Sequence, residues 1–452
     1  MIRIVEGFEE GLALLTRSPG YSEPQLSLNA AKRTAGLFGE PLTATQAVRR
    51  ILDDVRHQGD KAVRDYALRI DRVDLKRIEI PRKQWRKALD SIPNELADAL
   101  RVAAARVRAY HEICMPLEWR DDEAGYGQRI VPIERVGLYV PGGTAEYPST
   151  VIMSAIPAKV AGVPEVILCT PAPSLATLAA AEIAGVDRLF EIGGAQAIGA
   201  MAFGTDSVPR VDKICGPGNI FVSIAKREVY GHVDIDGLYG PTETVVIADH
   251  TADVSLAAAD LLAQAEHDEM ASPVLITTSV EIARRVGAEI DRQLLALNRK
   301  NVAAAAIAGQ GLAVVVPSIA DAIRLADAFA PEHLCLLVND PDSYVDLVHN
   351  AGGIFVGEHS PEVMGDYVAG PSHAMPTAGT SRYASSLGVQ HFLKHMPVIR
   401  LSTAAMTRLG PAAAAIARAE GLTGHARAVE MRLEAKERTV ATNFAPEAPD
   451  AR

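Results

Sequence analysis

Apolar positions recur with a helical period early in the chain and with a strand-like rhythm later. Between residues 43 and 108, Ala47, Ile51, Leu52 and Val55 fall on one stripe of an amphipathic helix. A second helix continues from Ala62 to Leu68, and the stretch 96–110 is rich in Ala and Arg, both strong helix formers. These segments predict a helical N-terminal arm with little chemistry in it. Near Ile130 the character changes. β-rich runs at 136–140, 166–169 and 189–192 alternate with Ala-rich helical segments at 149–160 and 175–184. The rhythm restarts at 244–248 and passes through 273–277, 312–316, 334–338 and 353–356. That alternation predicts βαβ units around parallel sheet, in two α/β layers of roughly 100 to 150 residues each. The shared rhythm hints at duplication, although no residue-level repeat is evident. From about Val389 the chain turns helical again and fades into a polar, Pro-containing tail at 443–452, expected to be mobile.

Length and composition narrow this picture. A chain of 452 residues exceeds one compact core and predicts two to four domains. Its 48% hydrophobic and 22% charged residues are ordinary for a globular protein. With 45 basic against 56 acidic side chains, the net charge of −11 argues against nucleic acid as the main partner. Cys114, Cys169, Cys215 and Cys335 are too dispersed for a disulfide framework or a Cys-only zinc site. The first fifteen residues carry Glu6, Glu9 and Glu10 where a signal peptide needs basic residues. No apolar stretch approaches the roughly 20 residues that span a bilayer. A cytoplasmic protein is expected.

Several segments hold candidate chemistry. The apolar run 136–140 enters Pro141-Gly142-Gly143, and Pro148-Ser149-Thr150 then opens a helix. Glycines let backbone amides face a ligand there, and a helix N-terminus attracts anions; a plain tight turn accounts for the residues equally well. Gly193-Gly194-Ala195-Gln196 and Cys215-Gly216-Pro217-Gly218-Asn219 also follow predicted strands, where open parallel sheets bind ligands. Neither is a G-x-G-x-x-G fingerprint, but three glycine turns at strand ends of one sheet suggest a nucleotide-sized pocket. Gln264 and His267 are spaced i, i+3 at the end of a predicted helix, permitting a metal site without demonstrating one. Glu266 points elsewhere on that turn. Glu332-His333 enters an apolar run and suits acid–base work, although a capping Glu and a structural His would read the same. Asp366 offers a hard oxygen ligand, whereas Glu420 and His425, near the chain end, read from composition as surface.

In order, the blocks VGLYVPGGT, GGAQAIGA, CGPGN, QAEHD, PEHL and GDY, with the Glu420/His425 pair, resemble the histidinol dehydrogenase family. The resemblance runs from about Ala47 to Arg432, and the ordered set is far more specific than any one block. It implies a homodimer that uses zinc and NAD to oxidise L-histidinol through histidinal to L-histidine, reducing two NAD. By position it implies Gln264, His267, Asp366 and His425 as zinc ligands and Glu332 and His333 as acid–base residues. Tyr139, Gln196 and Asn219 become NAD contacts, while Thr242, His373 and Glu420 join Gln264, His267, His333, Asp366 and His425 around the substrate. It also implies that the C-terminal segment completes the partner subunit's site. Pattern and resemblance together predict an α/β fold of two incomplete Rossmann-like parallel-sheet domains with a helical N-terminal arm and a small helical C-terminal extension. The expected division is 1–129 for the arm, which packs on the second α/β domain; 130–240 for the NAD side; 241–388 for the zinc and catalytic side; and 389–452 for the extension.

One departure bears on substrate. The family commonly has Gly-Pro-Ser-Glu where this chain has Gly240-Pro241-Thr242-Glu243, after an unusual Leu238-Tyr239. Thr242 keeps the hydroxyl and adds a methyl. This leaves room for a paralogue acting on another alcohol, such as a sulfonated diol, although the Glu420 carboxylate suits an imidazole and would repel a sulfonate. A zinc hydrolase and a non-catalytic metal scaffold are the rival classes. Cys215 as a thiohemiacetal-forming nucleophile is a minor alternative within the oxidoreductase reading.

Overall fold

Both strand rhythms resolve into parallel sheets in the computed structural model, which describes residues 2–17, 28–142 and 146–443. Gly143 of the first glycine turn and all but the first residue of the 443–452 tail lie outside the described residues. The first sheet runs in the spatial order Arg188–Phe190, Glu165–Cys169, Arg135–Tyr139, Lys213–Cys215, Asp234–Ile235. Every pair in it is parallel. The second runs Arg3–Glu6, Leu312–Val315, Ser272–Thr277, Glu243–Ala248, His333–Leu337, Gly353–Val356, again all parallel. Apart from Arg3–Glu6, each sheet has its first strand central, with two successors stepping out to one side and two to the other. This is the doubly wound order short of its sixth strand.

Burial explains why the strands read as continuous apolar runs. All six residues of Glu243–Ala248 are buried. Val245 and Ile247 face one apolar cluster with Val314, Leu325 and Leu336, whereas Val246 and Ala248 face the opposite one with Leu261, Leu275 and Ile290. Helices on both faces thus remove the polar-out alternation of a half-exposed sheet. The helix Ala44–Gln58 follows its predicted stripe, burying Ala47, Ile51, Leu52 and Val55, and opens with a Thr43–Gln46 capping box.

The structure divides into two units, Met1–Met115 with Pro132–Phe392, and Pro116–Val131 with Leu393–Arg452. The first unit holds both parallel sheets. The second has a three-stranded sheet ordered Leu393–Ile399, Tyr126–Pro132, Trp119–Asp121, followed by the helices Thr403–Ala419 and Thr423–Asn443. Ala414, Ala417 and Ala426 form its small buried core.

Candidate active site

The amino-terminal edge of the second sheet gathers most of the polar candidates. His333 begins its strand and pairs in register with Thr244, so the preceding Thr242 and Glu332 share that edge. The helix Val254–Ala265 is capped by Asp253, whose side chain accepts from Ser255 N and Leu256 N. It buries Ala258, Leu261, Leu262 and Ala265 and ends with Gln264 buried at the same edge. The helix stops at Ala265, so His267 sits on the turn beyond it, held by a bond from its N–H to the Gln264 carbonyl at 3.1 Å. Asp366 is delivered by the short helix Glu362–Tyr367.

These side chains bond to one another. Thr242 Oγ1 lies 2.8 Å from Gln264 Oε1 and 2.7 Å from Glu332 Oε2. A hydroxyl has one proton to donate, so both contacts are satisfied only if a partner supplies the other. A protonated Glu332 does so, and burial pushes its carboxyl well above the usual range. Gln264 Nε2 donates to Asp366 Oδ2 at 3.4 Å. His333 lies between Glu332 and Asp366, with Nδ1 3.8 Å from Glu332 Oε2 and Nε2 3.8 Å from Asp366 Oδ1. Nδ1 also lies 3.4 Å from the Glu243 carbonyl, which can only accept, so Nδ1 carries the proton. Nε2 is then the basic nitrogen, and it is buried without a hydrogen-bond partner. His373 Nδ1 donates to the Asp366 carbonyl at 2.9 Å, and its Nε2 lies 3.2 Å from Thr150 Oγ1.

Burial sets the electrostatics. It holds His333 down to about 3 and His373 to about 4, so both are neutral, and it lowers His267 as well. Asp366 is pushed up to about 6, with only the Gln264 bond opposing. That poorly compensated carboxylate on the Gln264 amide, with the His267 imidazole close enough to act on His333 and His373, fits a divalent cation, which binds such N/O sets. Among the described residues no three His, Cys, Asp or Glu side chains form a metal-holding group. The first unit supplies one imidazole and one carboxylate of the expected ligands, plus an amide, so it holds no such trio of its own.

On the first sheet the expected NAD residues sit at strand carboxyl ends around the point where the strand order reverses. Tyr139 ends the central strand, and its hydroxyl accepts from Gly194 N at 3.1 Å. Gln196 is fully buried and donates from Nε2 to Asp71 Oδ2 at 3.2 Å, while its Oε1 has no partner. Asn219 is exposed and caps the helix Ile220–Val229 through bonds from Phe221 N and Val222 N. The glycines have structural reasons as well. Gly216 has φ +118°, and a Cβ there would fall 2.0 Å from the Tyr139 carbonyl; at Gly193 it would fall 2.7 Å from Pro171. Cys215 is buried, and burial pushes its thiol well up, which opposes the thiolate that a nucleophile needs.

Glu420 and His425 belong to the second unit, where both are exposed and line one shallow cavity with Ile416, Leu422 and Val429. A family model for histidinol dehydrogenase matches residues 40–433. The chain belongs to the histidinol dehydrogenase family. The histidinol dehydrogenase of one strain of Dehalococcoides mccartyi is 47% identical over 441 residues, covering 96% of this chain and 100% of the relative. That of Thermus thermophilus is 48% identical, covering 91% and 99%. A crystal structure of histidinol dehydrogenase from Elizabethkingia anophelis superposes with TM-score 0.88 at 32% identity, covering 96% of this chain and 99% of that one.

Within this family member, two residues around the site, Thr150 and Glu362, do not read from the sequence as part of it. Thr150 meets His373 only through the fold. Glu362 is fully buried, bonded by the Thr244 hydroxyl and pushed well up by burial. Its i, i+4 spacing to Asp366 on one short helix was the only available hint.

Proposed function

We propose that the chain oxidises L-histidinol through L-histidinal to L-histidine, with two hydrides passing in succession to NAD. The observation that carries this reading is the free, buried Nε2 of a neutral His333, set among Glu332, Asp366 and Gln264. Gln264, His267 and Asp366, with His425 of a second subunit, would hold zinc, and Tyr139, Gln196 and Asn219 would contact NAD. When bound, zinc supplies a Lewis acid and template for the amino alcohol, and NAD supplies the hydride acceptor.

The chain's own groups account for the proton traffic. His333 Nε2 takes the hydroxyl proton as the carbinol carbon gives up its hydride. In the second half, water adds to the aldehyde carbon, the ionised Glu332 accepts the proton that water loses, and the resulting gem-diolate gives up the second hydride to leave the carboxylic acid. Glu332, protonated in the bond network above, must first release that proton to solvent; once ionised, a carboxyl whose proton affinity burial raises is a strong acceptor. Thr242, through its contacts with both Glu332 and Gln264, keeps the acid–base carboxyl and the ligand-side amide in register. His373 and Glu420 would contact substrate, the latter receiving its imidazole.

The domain reading assigns 130–240 to the NAD side and 241–388 to the zinc side, with 1–129 as the arm. The segment 389–452 is read as the extension that reaches the partner of a homodimer, and a cytoplasmic location accompanies this biosynthetic role. Its exposed Glu420/His425 pair, set among exposed Leu409, Ile416, Leu422 and Met431, favours a contact with another copy. No helix among the described residues is long and apolar enough to cross a membrane. The test is NADH formation on adding L-histidinol to purified protein with NAD. Turnover of a sulfonated diol with none of L-histidinol would overturn the substrate assignment.

A further inference from the structure

The N-terminal segment reaches the acid–base pair through one side chain. Arg17 follows the helix Phe8–Leu15. Its Nη1 donates to Glu243 Oε1 at 2.6 Å, its Nε donates to the Phe329 carbonyl at 3.1 Å, and its guanidinium lies 4.1 Å over the Phe329 ring. Both partners lead directly to the catalytic groups. Glu243 presents its N–H to Glu332 Oε2 at 3.3 Å and its carbonyl to His333 Nδ1 at 3.4 Å, so one residue's backbone fixes the carboxyl and the imidazole tautomer. Phe329 ends the helix Ile319–Phe329, after which Ala330, at φ 56°, turns the chain into Pro331-Glu332-His333. The Glu243 carboxyl also accepts from Ala378 N at 3.0 Å, on a turn whose Thr377 hydroxyl receives Gly240 N at 2.7 Å, two residues before Thr242.

We propose that Arg17 is a positioning residue for the reaction: by gripping the Glu243 side chain and the Phe329 carbonyl, it holds the two chain segments that set Glu332 and His333. This rests on the functional reading above. The Glu243 side chain is 7% exposed, and its Oε2 is buried without a partner, so Arg17 is the cation that balances a buried carboxylate next to the site. Without it the carboxylate has reason to take up a proton or turn toward water, and either outcome moves the Glu243 peptide. A planar fork that contacts a carboxylate, a carbonyl and a ring at once suits arginine better than lysine.

The experiment compares Arg17→Met, Arg17→Lys, Glu243→Gln and the Arg17→Met/Glu243→Gln double variant in NADH formation from L-histidinol. For Arg17→Met, kcat should fall about tenfold to a hundredfold, with both KM values within about twofold, since misplacing a catalytic pair costs rate on that order. Arg17→Lys should recover part of the loss, as should added guanidinium ion with Arg17→Met. Because Arg17 acts partly through Glu243, removing it from Glu243→Gln should cost clearly less than removing it from wild type, the remainder being its grip on Phe329. Nitrogen NMR of the His333 ring, which needs no turnover, should show Nδ1–H in wild type and a mixed tautomer in Arg17→Met. An unchanged kcat and tautomer in folded Arg17→Met would overturn the proposal. So would additive losses that neither lysine nor guanidinium relieves. A wild type that makes no NADH would instead overturn the functional reading, and the tautomer comparison would still decide the role of Arg17.

Discussion

His333 has one nitrogen committed to a backbone carbonyl and the other buried with nothing to bond, an asymmetry that suits the second nitrogen to take up a proton. The adjacency of Glu332 and His333 was plain in the sequence, but the tautomer depends on Glu243, which lies ninety residues away in the chain. The expected ligand residues behaved differently. Gln264 and His267 were legible as neighbours, yet their helix ends between them, and Asp366 joins them only because the sheet brings its helix to the same edge. The account expects His333→Asn to lower kcat by about a hundredfold or more, the scale of a lost general base, while zinc content by metal analysis stays near wild type. Equal losses of rate and metal would make His333 a ligand and remove the base.

At the scale of elements, strands buried on both faces were the most legible, because their apolar runs are continuous and bounded. The wholly buried Glu243–Ala248 and the other expected strands shift by one or two residues from their expected bounds, while the half-buried edge strand Gly353–Val356 appears within them. The edge strand Arg3–Glu6 was invisible: it buries only Val5, and its pairing with Leu312–Val315 is a long-range choice. Leu393–Ile399 was read as helix because most of it is exposed and lacks apolar alternation. The helix Asn94–Ile113 carries a stability prediction of its own. His111 on it is buried with neither nitrogen bonded, and burial holds it to about 4 against 6.5 for an unperturbed histidine. Below about pH 6.5 the unfolded chain binds a proton that the folded chain refuses, so stability falls as pH drops from about 6.5 toward 4 and is retained above that window. At about pH 5 the cost approaches about 2 kcal/mol. His111→Leu should therefore gain stability relative to wild type by about that much more at about pH 5 than at about pH 8, read by urea unfolding. An equal difference at both pH values would show that the imidazole is not kept neutral.

For the whole molecule, the sequence showed two α/β layers but not how they use opposite edges. The first sheet offers strand carboxyl ends at Tyr139 and Cys215, whereas the second offers strand amino ends at Glu243 and His333. Edge choice follows from tertiary packing, which hydrophobic rhythm does not encode. The N-terminal arm, read as lacking chemistry, supplies Arg17 to the second sheet's edge. The placement of His425 in the second unit gives the shared-site reading a direct consequence. If the proposed homodimer shares its site, the inactive variants His333→Asn and His425→Ala should regain activity when dissociated and mixed, because each hybrid dimer rebuilds one intact site. Random reassortment predicts about a quarter of wild-type activity. No recovery would mean that each subunit uses its own His425.

The proposed reaction is a metal-dependent oxidation of one alcohol by two successive hydride transfers at a single site. The most direct measurement is the number of NADH formed per L-histidinol consumed, before and after zinc is removed with a chelator. The account predicts two NADH, lost on chelation and restored by zinc. One NADH with released aldehyde, or turnover indifferent to the chelator, would contradict it.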